Sequence, residues 1–150
     1  MATLQRSAIV PYTCEQMYGL VNDIARYQEF VPYCTSSVVH SENEHEIRAT
    51  LVLSAKGIKK SFSTRNRLQK NCSMEIALID GPFKSLAGLW KFEAHSEKNS
   101  EVILNLEFEF ANKLFSMMFG SVFQQVSSSL VDAFVSRAHV VYDSQILSKT

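Results

Sequence analysis

Six basic side chains, Lys56, Lys59, Lys60, Arg65, Arg67 and Lys70, fall within fifteen consecutive positions that hold no acidic residue. Positive charge at that local density attracts phosphates, on RNA or on lipid headgroups, and each phosphate contact releases a counterion. The bland alternative is the solvated face and tip of one hairpin. The residue alternation is the same under both readings. It sets Ile58, Phe62, Thr64, Asn66 and Leu68 against Lys59, Ser61, Ser63, Arg65, Arg67 and Gln69. Lys59, Arg65 and Arg67 thus share one face, while the other face carries Thr64 and Asn66 as polar handles among apolar neighbours.

Residues able to do covalent or metal chemistry are sparse and scattered. His40 and His45 flank a turn-like cluster with no third ligand at a suitable spacing, and His95 and His139 lie far along the chain. No metal site is expected from this pattern. Cys14, Cys34 and Cys72 are odd in number and form no C-x-x-C pair, which indicates neither a disulfide framework nor a zinc knuckle. There is no G-x-S-x-G elbow, no G-x-G-x-x-G turn and no phosphate loop, so no catalytic residue is nominated. The remaining chemical resource is aromatic. Of ten phenylalanines, six lie from Phe108 onward. Such residues fill cores first and line ligand cavities second.

These groups have to be positioned by a simple succession of elements. Thr3 to Val10 reads as a short strand ended by Pro11. Thr13 and Gln16 form a capping-box pair opening a helix that groups Met17, Leu20, Val21 and Ile24. Pro32 turns the chain out of helical conformation near Val31. From Thr35 to Ala111 the period is two, with turn-like clusters dividing the stretch into six strands of an antiparallel meander. Val102, Leu104, Leu106, Phe108 and Phe110 form the cleanest apolar face. Gly88, between Leu86 and Trp90, marks a bulge or a close approach of another element. After Asn112 the period becomes helical for roughly 30 residues, or about 45–50 Å. Phe115, Phe119, Val122, Val126, Leu130, Ala133 and Phe134 form its buried stripe.

The resulting expectation is one α+β domain over residues 1–150, a curved sheet wrapped around a long C-terminal helix. At 150 residues the chain can bury roughly 70% of its unfolded surface without staples. Fifteen basic residues against fifteen acidic ones exclude nucleic-acid binding through overall charge, and no DNA partner is expected. The N-terminus shows no apolar signal region, and no run of about 20 apolar residues occurs, so a reducing, cytoplasmic setting is expected. A sheet wrapped on a single helix leaves a space between them. If side chains do not fill it, an apolar cavity of a few hundred Å³ results, suited to a hydrophobic ligand.

Several stretches resemble the coenzyme-Q-binding branch of the START-like (polyketide cyclase/lipid transport) superfamily. They are Tyr27-Gln28-Glu29-Phe30-Val31-Pro32-Tyr33-Cys34, Phe62-Ser63-Thr64-Arg65-Asn66 and the run from Asp80-Gly81-Pro82-Phe83 through Leu86-Ala87-Gly88-Leu89-Trp90-Lys91-Phe92. Phe108-Glu109-Phe110, Ala133-Phe134-Val135-Ser136-Arg137-Ala138 and Val141-Tyr142 complete the set. Gln28 departs from the pattern, where relatives often carry Pro. The resemblance implies a helix-grip fold of about seven strands and a tunnel for ubiquinone or a similar isoprenoid lipid. It implies a non-enzymatic role supporting respiration, with no required cofactor. A bacterial member of the family implies a different role, association with the large ribosomal subunit that blocks subunit joining.

On this reading Phe62, Leu86, Trp90, Phe92, Leu106, Phe108, Phe119 and Phe123 are the wall candidates, and Asn66 is the polar contact to the headgroup. Val31, Pro32 and Tyr33 stand at the mouth as a gate. The ribosomal alternative uses the basic set, Lys56, Lys59, Lys60, Arg65, Arg67 and Lys70. A transient contact with a membrane surface, peripheral to the inner membrane, accompanies the lipid-binding role.

Overall fold

The computed structural model describes residues 2–55 and 57–143. Strand β1 (Ala2–Val10) stops where Pro11 withdraws a ladder donor. Helix α1 (Cys14–Asn22) then starts on a complete capping box. Thr13 Oγ1 accepts from the Gln16 amide at 3.1 Å, and Gln16 Oε1 accepts from the Thr13 amide at 2.9 Å. The expected helix carried on to Ile24, but α1 ends at Asn22. Ile24 instead opens a 3₁₀ turn, Ile24–Glu29, which turns Ile24 and Tyr27 inward.

Six strands follow, as the period-two patterning predicts: β2 (Cys34–Glu42), β3 (Glu46–Ala55), β4 (Ile58–Gln69), β5 (Ser73–Asp80), β6 (Phe83–Ala94) and β7 (Ser100–Phe110). Each pairs antiparallel with the next, and β1 joins β7 with Leu4 opposite Leu106, giving the order β1-β7-β6-β5-β4-β3-β2. The sheet is curved, with one face turned to the core. On β7 the predicted alternation holds: Val102, Leu104, Leu106 and Phe108 are buried, and Ile103, Asn105 and Glu107 are not. Gly88 is a close approach and not a bulge. Register runs unbroken through Ile76, Gly88 and Leu106, and a Cβ at Gly88 would stand 3.0 Å from Leu106 Cδ1.

Helix α2 (Lys113–Ala138) is capped by Asn112, whose side-chain oxygen accepts from the Phe115 amide at 2.9 Å. Its 26 residues span about 39 Å, and the chain then widens into a π turn, His139–Asp143. The buried stripe differs in part from the expected one. Phe119, Val122, Val126 and Phe134 are buried as predicted, and Phe123, Ser127 and Val131 join them. Phe115 and Ala133 sit at the margin, half-buried. The fold is therefore a seven-stranded antiparallel sheet gripping one long helix, the α+β helix-grip arrangement.

Candidate ligand cavity

Between the concave face of the sheet and α2 lies a partly open apolar space of about 90 Å³. Leu51 and Leu53 of β3, Phe62, Thr64 and Asn66 of β4, Ile76 of β5, Leu86 and Trp90 of β6 and Leu106 of β7 form one wall. Phe123, Val126, Ser127, Leu130 and Phe134 of α2 form the other, and Ile24, Tyr27 and Val31 close the end. The space is smaller than the few hundred Å³ expected, because aromatic rings reach across it. Phe123 meets Phe83 and Phe108 at 4.8 Å between centroids, and Phe134 meets Trp90 at 5.4 Å. A cavity that admits benzene measures about 150 Å³, so this one is smaller than a single benzene ring requires.

Of the residues nominated from sequence, Phe62, Asn66, Leu86, Trp90, Leu106 and Phe123 line the cavity. Phe92, Phe108 and Phe119 do not. Phe92 is stacked behind Trp90 and meets Tyr18 edge-on at 5.7 Å. Phe108 and Phe119 both contact Phe123 and so support the wall without forming it. At the expected mouth, Val31 is buried and faces the cavity. Pro32 lies instead in a shallow outer depression with Phe30, Ala133 and Arg137. Tyr33 has a left-handed backbone (φ 63°), which a bulky residue adopts only when its surroundings hold it. Its carbonyl accepts from the Ser54 amide at 2.9 Å and its hydroxyl donates to Gln125 Oε1 at 3.4 Å, tying the loop to β3 and α2.

Sequence reasoning missed several lining residues. Leu51, Leu53 and Ile76 were available from the inward phase of their strands, and Ser127 from its place four residues after Phe123. Ile24 continued the apolar stripe read for the first helix, but Tyr27 carried no such signal, because the 3₁₀ turn that brings it inward breaks the helical period.

Among the described lining side chains, Tyr27, Thr64, Asn66 and Ser127 are polar, and Trp90 adds an indole N–H donor. Tyr27 is already committed, its hydroxyl donating to the Val21 carbonyl, and burial pushes its pKa far above the ordinary phenol range. Asn66 is only half-satisfied. Its Nδ2 donates to Met74 Sδ at 3.4 Å, while Oδ1 is buried with no partner among the described residues. Among the described residues, no Asp, Glu, His, Lys, Arg or Cys lines the cavity. The arrangement can desolvate an apolar molecule and offer it hydrogen bonds.

The basic segment is less concentrated in space than in sequence. Lys56 lies outside the described residues. Lys59, Arg65 and Arg67 do share the outward face of β4, but the neighbouring strands bring acids beside them. Arg65 pairs with Glu46 at 3.4 Å, and Arg67 stands in register between Glu46 and Glu75. Lys60 is on the opposite phase, its ammonium 4.7 Å above the Phe115 ring. Lys70 is exposed in the turn after β4, roughly 35 Å of extended strand from Lys59.

Elsewhere, Tyr12 donates to Asp143 Oδ1 at 2.7 Å and lies 2.6 Å from His139 Nδ1, fastening the π turn to the β1–α1 connection. Arg137 pairs with Glu29 at 2.8 Å and stacks over Phe30. Among the described residues no His, Cys, Asp or Glu side chains converge as a metal site. No described helix is long and apolar enough to cross a membrane.

A curved sheet closed by one helix over an apolar cavity defines a START-like, helix-grip protein. The family described as polyketide cyclase / dehydrase and lipid transport matches residues 10–135, and the chain belongs to it. The ribosome association toxin RatA of Escherichia coli K12 is 43% identical over 97% of this chain and 92% of its own. The mitochondrial coenzyme Q-binding protein coq10 of Schizosaccharomyces pombe is 27% identical, covering 89% of this chain and 85% of its own. A START superfamily protein from Mycobacterium smegmatis superposes with a TM-score of 0.76 at 14% identity, over 93% of this chain and 98% of that one, a likeness of fold alone.

Proposed function

We propose that this protein binds an isoprenoid quinone of the ubiquinone class in the cavity and carries it in support of respiration, without catalysing a reaction. The observation that carries the reading is the apolar cavity between sheet and helix, with a half-satisfied Asn66 and no charged side chain among its described lining residues. Apolar walls favour a polyprenyl chain at about 25 cal/mol for each Å² withdrawn from water. The coenzyme Q-binding name of the coq10 relative agrees with that ligand class. The test is lipid extraction and native mass spectrometry of protein purified from its own host. Near-stoichiometric quinone is expected in the wild type. Ser127→Leu, which grows a side chain into the cavity, should fold and come out empty. A wild type free of quinone, or a Ser127→Leu variant equally loaded, refutes the reading.

A second reading is association with the large ribosomal subunit. It is favoured by the 43% identity to a ribosome association toxin over nearly the whole chain. It would use the outer face of the sheet, leaving the cavity free. Co-sedimentation with large subunits should then fall steeply with salt and disappear in a Lys59→Glu/Arg67→Glu variant. Co-sedimentation that survives both changes removes the basic strand from consideration.

A further inference from the structure

The exposed large apolar side chains Ile9, Val38, Ile79 and Val140 sit apart along the chain, and scattered ones need no explanation. Leu114, Met117 and Met118 differ, because they fall within one turn of α2 and are 63%, 82% and 46% exposed. Positions i, i+3 and i+4 of a helix lie side by side, so the three form one apolar face. The buried stripe of α2 begins only at Phe119, which leaves this face without a partner among the described residues. The same turn holds no acidic residue and opens with Lys113, where a carboxylate would suit the helix better. Two local rules are broken at one place with no gain to the helix itself, which points to something outside the chain.

Lysines frame the apolar face on both flanks. Lys60 reaches over the Phe115 ring, 4.7 Å from its centroid, on the flank nearest β4. Lys113 and Lys84 border the open groove on the other flank, beside Ser116 and Gly120. Glu109 borders that groove too, yet among the described residues none of these three lysines forms an ion pair. An apolar centre within a cationic rim is the complement of a bilayer surface, where acyl chains lie beneath anionic headgroups. A second copy of this chain fits less well. Three side chains fall short of the roughly 800 Å² per partner that a stable interface buries, and two-fold pairing would set the lysine rims against each other.

We propose that the start of α2 is a membrane-docking tip, which lays Leu114, Met117 and Met118 into the headgroup–acyl boundary of an anionic bilayer while Lys60, Lys84 and Lys113 meet lipid phosphates. The tip lies outside the cavity, and docking stands whether or not the cavity takes a quinone. Because α2 also walls the cavity, the docked face and the cavity share one helix. Each lysine brought to an anionic surface is worth about fivefold in partitioning, so three favour anionic over neutral bilayers by about a hundredfold at low salt.

The test is flotation of the full chain with vesicles of mixed phosphatidylglycerol and phosphatidylcholine, and with vesicles of phosphatidylcholine alone. The wild type is expected to float with the anionic vesicles, about a hundredfold more strongly than with the neutral ones, and to be released at high salt. Leu114→Glu/Met117→Glu, which leaves the buried stripe intact and adds acids that a helix start tolerates, should stay unbound. Lys60→Gln/Lys113→Gln should bind on the order of thirtyfold more weakly. Ile9→Glu should float like the wild type, since Ile9 pairs with Glu101 at the far end of β1 from Ala2, which borders the groove. Circular dichroism checks that each variant folds. A wild type that floats with neither vesicle or equally with both, or a Leu114→Glu/Met117→Glu variant that floats as the wild type does, overturns the inference. So does a wild-type dimer that the same variant makes monomeric in sedimentation velocity. Large ribosomal subunits that bind the wild type and lose this variant, with vesicles binding neither, also overturn it.

Discussion

Replacing Asn66 by Leu should make the protein more stable. A buried acceptor without a partner costs about 1–3 kcal/mol, and the only compensation within the side chain is one contact from Nδ2 to Met74 Sδ at 3.4 Å. Leucine removes the orphan oxygen, and its methyl groups enter a space of about 90 Å³ that is already vacant and apolar. Overpacking therefore contributes little. The net gain is about 1 kcal/mol, which raises the midpoint of thermal unfolding by roughly 2–4 °C in a chain of this length. The assay is urea unfolding followed by circular dichroism, where the midpoint should move up with an unchanged slope. A variant destabilised by more than about 1 kcal/mol would refute the reasoning, since Oδ1 must then have a partner in the wild type, such as a buried water. A stabilised variant that has lost its ligand would show that the polar group is kept for binding at the expense of the core.

Two further outcomes follow from the packing. Trp90→Ala should lower stability by about 3–5 kcal/mol, because the indole is 2% exposed and braced by Phe92 and Phe134; urea unfolding measures this, and Trp90→Phe should recover most of it. Asp143 is held below the ordinary carboxylate value of 3.8, first by the Tyr12 hydroxyl and then by His139. A lowered carboxylate stabilises the fold fully above its unfolded pKa, and that contribution is lost as pH falls through the folded value. Asp143→Asn should therefore flatten the loss of urea stability below pH about 4, and an unchanged acid limb would dismiss the Tyr12–Asp143 contact as a stabilising one.

Period and punctuation were enough to read the sheet and both helices. Thr13 with Gln16, Pro11 and the strict alternation on β7 are local signals, and each survives intact in the structure. The cavity was legible only in part. Phe62, Trp90 and Phe123 belong to inward phases and do line it, but Phe108 and Phe119 share those phases and do not. Phase tells which face a side chain is on. It does not tell which ring stands in front of another, and that depends on the angle at which α2 crosses the sheet. The 3₁₀ turn is a similar case: Tyr27 reaches the cavity through a change of helical pitch that leaves no periodic trace. The charge cluster misleads for a third reason. Density along one strand says nothing of Glu46 and Glu75, which pairing places beside Arg67.

The narrowness of the cavity has a kinetic consequence. A headgroup larger than the space available would enter only with a fluctuation that widens the gap between α2 and the sheet. Capture would then be limited by the opening step, so the observed rate should rise with ligand concentration only to a plateau. Dissociation would pass through the same door. A quinone held in this way would be exchanged on the protein's own clock, and the apparent affinity would be diluted by the fraction of molecules open at any moment.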